Sequence, residues 1–194
     1  VEAIPISNEP VSAGYAPARP VGSNLVLIGY MGTGKSSVGR TLARLAGMRF
    51  VDTDDLIVAA AGRTIPEIFA AEGVEFFRQL ETQVLRDLAE SGGTVIATGG
   101  GIVTRPENVP LLHALGLVVW LTADEDVIFE RVSRNRNRPL LHTENPRETM
   151  LNLLHERLPL YRQNSDFVAD TSWMSQADVA RAILTEARRR QRPH

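Results

Sequence analysis

No cysteine occurs among the 194 residues, which excludes disulfides, thiol nucleophiles and Cys-ligated zinc together. No apolar run approaches the roughly 20 residues that a membrane helix requires. Charge imbalance is also missing. The 21 basic and 23 acidic residues leave a net −2, too little for a general attraction to nucleic acid. Lysine is nearly absent: Lys35 is the only one, and the other basic residues are arginines. An arginine-rich codon bias accounts for the imbalance but not for where the single lysine falls. What is present, 43% hydrophobic and 23% charged residues, is the composition of an ordinary globular domain, with a cytoplasmic location expected.

Residues 1–23 carry Pro5, Pro10, Pro17 and Pro20 and show no apolar periodicity, so they read as a loose tail. They lack the basic start and long apolar segment of a signal peptide. Ordered structure is expected from Asn24. Short runs at 25–28, 49–52, 94–98, 117–121 and 166–169 read as strands, the last of them weak. Helices are expected at 36–46, 56–61, 107–114, 124–134, 146–162 and 175–189. Thr64 and Glu67 fit a capping box that opens a short helix to Glu72. Gly73 should break it, and 74–90 should form a longer helix. The polar, arginine-rich stretch 135–145 reads as a mobile loop, and 191–194 as a terminal tail. Strands alternating with helices imply an α/β domain over 24–190, with a parallel sheet covered on both faces. Ligands of such sheets bind at the carboxyl ends of the strands.

Gly29-Tyr30-Met31-Gly32-Thr33-Gly34-Lys35-Ser36 fits G-x-x-x-x-G-K-[ST], with a strand before it and a helix after. Glycines at this spacing let successive backbone N–H groups turn toward phosphate oxygens, and the helix that follows points its positive end at the same anion. Gly32, Thr33, Gly34, Lys35, Ser36 and Ser37 are therefore candidate nucleoside-triphosphate-binding residues. Lys35 would reach the β- and γ-phosphates, and the Ser36 hydroxyl would ligate Mg²⁺.

Asp52, Asp54 and Asp55 crowd the end of the second strand. In extended chain Asp52 and Asp54 would share a side, about 6.6 Å apart. One would serve the metal through water while the other meets an acceptor hydroxyl, although Asp54 or Asp55 would equally serve as a helix N-cap. The third strand ends in Thr98-Gly99-Gly100-Gly101, not in a metal-binding acid, which shifts the metal role to Asp52. Those glycines suit either a plain turn or a close backbone approach to a ligand. Arg78 and Glu81, three residues apart, form either a surface pair or a fixed guanidinium fork for a carboxylate. Arg131, Arg134, Arg136 and Arg138 lead into Pro139-Leu140-Leu141, as a solvated basic loop or as a lid over a triphosphate. Arg157 is a further candidate anion ligand.

In their order and spacing, GYMGTGKSS, FVDTDD, FFRQLE, ATGGG, NRPLL and ERLPLY resemble the shikimate kinase family of P-loop small-molecule kinases. The resemblance spans about 24–188. It implies a three-layer αβα fold, a five-stranded parallel sheet in the order 2-3-1-4-5, and a lid at about 131–145. It also implies ATP- and Mg²⁺-dependent phosphorylation of the 3-hydroxyl of shikimate on the way to chorismate and the aromatic amino acids. A monomer is expected, and the charge balance and the lack of long apolar runs lead to no nucleic-acid or membrane partner being expected. By matching position, Lys35, Asp54 and Arg138 are the implied catalytic residues. Asp54, Arg78, Gly99, Gly100, Gly101 and Arg157 are the implied substrate contacts. Arg131 and Arg138 complete the ATP site, with Arg131 beside adenine, and Asp52 meets the metal through water. One departure stands out: 170–174, where some members carry an arginine against adenine, reads Asp-Thr-Ser-Trp-Met. Trp173 is either a stacking face in its place or a packed loop residue. A related kinase for gluconate or a nucleoside monophosphate is the alternative enzyme, and a nucleotide-binding module without catalysis is the alternative of a different class.

Overall fold

A computed structural model describes residues 24–134 and 143–191. Five strands, β1 (Asn24–Ile28), β2 (Arg49–Asp52), β3 (Thr94–Ala97), β4 (Gly116–Thr122) and β5 (Phe167–Asp170), form one sheet in the order β2-β3-β1-β4-β5. All four pairings are parallel, and β1 at the centre aligns Val26 with Ile96 on one side and Val118 on the other. The helices are α1 (Lys35–Ala46), α2 (Thr53–Ala61), α3 (Ile65–Asp87), α4 (Asn108–Leu115), α5 (Glu125–Ser133), α6 (Pro146–Gln163) and α7 (Gln176–Gln191), with a 3₁₀ turn at Ile102–Thr104.

The central strands read as continuous apolar runs because both faces of the sheet are covered. Alternation along each strand divides the core in two. Val26, Ile28, Ile96, Val118 and Trp120 face α3, α4 and α6 through Leu85, Leu112, Leu154 and Tyr161. Leu25, Leu27, Val95, Val119 and Leu121 face α1 and α7 through Val38, Leu42, Val179 and Ile183. A smaller cluster of Ile57, Ile68, Phe77 and Val84 joins α2 to α3.

The amino ends of the central strands are tied by one side chain. Asn24, 1% exposed, donates through Nδ2 to Ser91 O at 2.9 Å and Leu115 O at 3.0 Å, and its Oδ1 accepts from Thr94 N at 3.0 Å. One amide thereby bridges the approaches to β3, β1 and β4.

Helix boundaries follow local chemistry. Thr64 and Glu67 make the expected capping box, and Gly73 kinks α3 with φ 80° and ψ 179°. One expectation needs correcting. The helix after β2 starts at Thr53, not at 56, because Asp52 is itself its N-cap: Asp52 Oδ1 accepts from Asp54 N at 3.1 Å. Asp54 therefore lies in the first turn of a helix, and the extended-chain spacing of Asp52 and Asp54 does not apply. Asp55 is exposed on the same turn. Among the described residues, no helix is long and apolar enough to cross a membrane.

Candidate active site

A cavity of about 440 Å³ opens at the carboxyl ends of the strands, lined by Gly32, Gly34, Lys35, Ser36 and Ser37 together with Asp52, Asp54, Thr98, Gly100, Arg131 and Thr171. The Gly-rich loop thus meets Asp54, Thr98 and Gly100 in one space, while Arg78 and Arg157 do not line it and reach the turn from behind. Gly34 caps α1 in the left-handed region, and the first turn of α1 holds no acidic side chain to compete for an anion. Lys35 is 8% exposed and its ammonium donates to two carbonyls of its own loop, Gly29 O at 2.7 Å and Tyr30 O at 2.8 Å.

The Ser36 hydroxyl donates to Asp52 Oδ2 at 2.6 Å. A hydroxyl and a carboxylate side by side next to a phosphate cradle fit a hard divalent cation that keeps waters and borrows phosphate oxygens. Among the described residues there is no group of three His, Cys, Asp or Glu that could hold a metal ion.

The acceptor side is built on the glycine turn after β3. Arg78 donates to Glu81 Oε2, and both side chains are buried, Glu81 completely. The surface-pair reading of this i, i+3 arrangement is therefore excluded. The turn comes so close that side chains would collide. A Cβ on Gly101 would lie 2.2 Å from the Arg78 guanidinium, and one on Gly99 2.3 Å from Glu81 Oε1 and 3.0 Å from Asp54 Oδ1. Glu81 Oε1 has no hydrogen-bond partner among the described residues. Burial raises the Glu81 carboxyl above its ordinary range against the pull of Arg78, and Asp54 nearby adds to the rise. From the other side, Arg157 Nη1 donates to Gly100 O at 3.2 Å, and its guanidinium lies 5.7 Å from the centre of the Tyr30 ring. A Cβ on Gly100 would stand 3.1 Å from Met31 N, so the turn abuts the phosphate loop itself. Thr53 fastens the turn's start by accepting from Gly99 N at 3.1 Å.

At the other end of the cavity Arg131 donates to Gly32 O at 3.3 Å, Thr171 Oγ1 at 3.1 Å and Thr171 O at 2.7 Å. Thr171 Oγ1 in turn reaches Thr33 O at 2.9 Å. The arginine expected beside adenine thus also ties the phosphate loop to the segment after β5. In that segment Met174 and Gln176 line the cavity, and Trp173 is 82% exposed, which excludes a packed loop residue. Arg136 and Arg138 lie outside the described residues, as does 135–142 of the expected lid.

Asp54, Arg78, Arg157 and the three glycines, dispersed over more than 100 positions, are thus brought together by α2, α3, α6 and β3. Thr53, Thr171 and Tyr161, whose hydroxyl donates to Gly100 O, belong to the same framework. Sequence reasoning gave them no role, because hydroxyls at helix starts and in apolar stretches carry no spacing signal. ERLPLY did contain Tyr161, four residues after Arg157 and so on the same helix face.

A family model described as shikimate kinase matches residues 31–188. The shikimate kinase of Thermodesulfovibrio yellowstonii is 45% identical over 166 residues, covering 86% of this chain and 95% of that protein. The solved shikimate kinase from Acinetobacter baumannii in complex with shikimate superposes with a TM-score of 0.82 at 41% identity, covering 84% of this chain and 92% of that one. A gluconokinase from Sinorhizobium meliloti, at 19% identity and a TM-score of 0.52, shares the fold alone. On family match, length and fold alike, the chain belongs to the shikimate kinase family.

Proposed function

We propose that this chain transfers the γ-phosphoryl group of ATP to the 3-hydroxyl of shikimate, giving shikimate 3-phosphate and ADP. The single observation that carries this reading is the convergence of Asp54, Arg78 and Arg157 on a glycine turn that abuts the phosphate loop. Arg78 and Arg157 grip the ring carboxylate, and Glu81 fixes the Arg78 fork from behind. Asp54 orients the acceptor hydroxyl and takes its proton as the new oxygen–phosphorus bond forms and the bond to the β-phosphate oxygen breaks. Lys35 and the N–H groups of 32–37 stabilise the charge on the phosphates. ATP-dependent kinases of this family use a divalent cation. Mg²⁺ is the proposed ion, held by Ser36 and through water by Asp52, and it supplies charge neutralisation at the transferring group. By motif position Arg138 is the proposed arginine for the phosphates, and Arg131 the proposed one beside the base. The enzyme is proposed to act as a cytoplasmic monomer with residues 24–190 as one domain.

A coupled ADP-release assay with shikimate, gluconate, AMP and CMP tests the acceptor. Turnover above background with shikimate alone is the expected result. A rate with one of the others and none with shikimate overturns the assignment.

The contact between Gly101 and Arg78 gives a second test. Gly101→Ala would drive a methyl group into a guanidinium that Glu81 holds in place. The KM for shikimate should rise roughly tenfold to a hundredfold, since displacements near 1 Å cost about that much, with the KM for ATP nearly constant. An unchanged shikimate KM would show that Arg78 does not act at this turn.

A further inference from the structure

The carbonyl of Gly100 is held from α6 by two donors. Arg157 Nη1 reaches it at 3.2 Å, and the Tyr161 hydroxyl donates to the same oxygen. The two side chains leave one face of α6, four residues apart. Arg157 has a second task, because its guanidinium is the proposed carboxylate ligand. Tyr161 has none. Its residue is 0% exposed, and its ring stacks on Trp120 of β4 with centroids 6.1 Å apart and planes at 23°. The hydroxyl therefore reaches the turn from a ring locked against the sheet.

A peptide unit is planar and trans, so fixing the Gly100 carbonyl also fixes the N–H of Gly101, which points the opposite way. Other hydrogen bonds of the turn set the neighbouring peptide planes: Gly99 N donates to Thr53 Oγ1 at 3.1 Å, Ile102 N to Gly99 O at 3.2 Å, and Thr104 N to Gly101 O at 3.0 Å. The plane between Gly100 and Gly101 depends on α6. Gly101 is also the residue on which the Arg78 guanidinium rests.

We propose that Tyr161 is a positioning residue for the acceptor: by holding Gly100 O it turns the Gly101 N–H toward the substrate carboxylate, beside the Arg78 fork. The inference rests on the shikimate reading above. Burial raises the Tyr161 phenol well above its usual range, so it remains a proton donor at every working pH. The hydroxyl donates to backbone and touches no substrate, so its contribution is to orientation.

Tyr161→Phe keeps the ring against Trp120 and removes the hydroxyl, with its bonds to Gly100 O and to Arg157. Arg157 stays on the carbonyl, so the loss is partial. The KM for shikimate should rise roughly fivefold to tenfold, the range expected for one lost buried hydrogen bond, while the KM for ATP stays within about twofold. The decisive comparison uses a neutral analogue whose carboxylate is replaced by a hydroxymethyl group. With it, variant and parent should show the same KM, because there is no anion for the Gly101 N–H to meet. An unchanged shikimate KM, or an equal rise for the neutral analogue and for ATP, overturns the proposal and leaves Tyr161 a packing residue. Failure of the parent enzyme to turn over shikimate at all is a different result, one that removes the functional reading itself.

Discussion

Lys35→Met is expected to lower kcat by about three orders of magnitude, the loss seen when a preorganised positive donor is removed from a reacting centre, while the protein stays folded. The chain offers no second lysine to take over. The ammonium is buried on Gly29 O and Tyr30 O, at the root of the loop proposed to cradle the phosphates. Methionine has a similar unbranched stem and fills the same channel without the charge. Tyr30 O keeps a donor after the change, because Thr33 Oγ1 also reaches it at 2.8 Å. The stability loss should thus be confined to about 1–3 kcal/mol, the cost of one orphaned buried carbonyl. Single-turnover phosphoryl transfer and far-UV circular dichroism are the two measurements. A variant within tenfold of the parent rate would remove Lys35 from the chemistry.

Arg78→Ala should show the second large effect, on two readouts at once. Losing the bidentate grip on the carboxylate should raise the KM for shikimate at least about a hundredfold, since a charged group then loses its paired hydrogen bonds. The KM for ATP should change little, and equal rises for both substrates would contradict the assignment. The same substitution strands Glu81, which is completely buried, and breaking such a pair typically costs about 3–5 kcal/mol. The pH dependence has a definite sign. Burial already raises the Glu81 carboxyl, and Arg78 is the largest influence holding it down. Without Arg78 the folded-state value rises further. A raised carboxyl contributes its full stability below the ordinary glutamate range and loses it as pH rises through the folded-state value. The melting temperature of the variant should therefore lie nearer the parent's at about pH 5 than at about pH 8. Equal deficits at the two pH values would mean that Glu81 carries no stranded charge.

The architecture was legible because the signals are local and repeated. Apolar runs such as Leu25-Val26-Leu27-Ile28, each ended by glycine or a polar residue, mark buried parallel strands without reference to anything distant. The sequence Thr64-Ile65-Pro66-Glu67 announces its own helix start. The helix after β2 was placed three residues late because β2 passes into α2 with no loop, and the last strand residue, Asp52, doubles as the cap. Apolar periodicity has no purchase on a first turn made of Thr53, Asp54 and Asp55.

The site divides in the same way. The phosphate loop is contiguous and could be read from its spacing alone. On the acceptor side, geometry separates readings that residue types leave open. Arg78 with Glu81 has the spacing of a solvated ion pair, and only the close approach of Gly99 and Gly101 shows why the pair is buried. In the sequence Arg131 stands out only as one of a run of arginines. Its bonds to Gly32 and Thr171 depend on β5 lying beside β4, which no local pattern encodes. Arg138, proposed from motif position as the arginine over the phosphates, falls outside the described residues.

Asn24 sits at the end of the sheet opposite all of this. One amide bridges three strand approaches there, so the central strands are tied at the base as well as at the rim, where Thr98 N donates to Leu27 O at 3.1 Å and Thr171 N to Thr122 O at 2.8 Å. The molecule resembles a chassis bolted at one end with its working parts mounted at the other. The amino-end tie lies away from the rim, so a change confined to a rim loop leaves this clamp on the three strands intact.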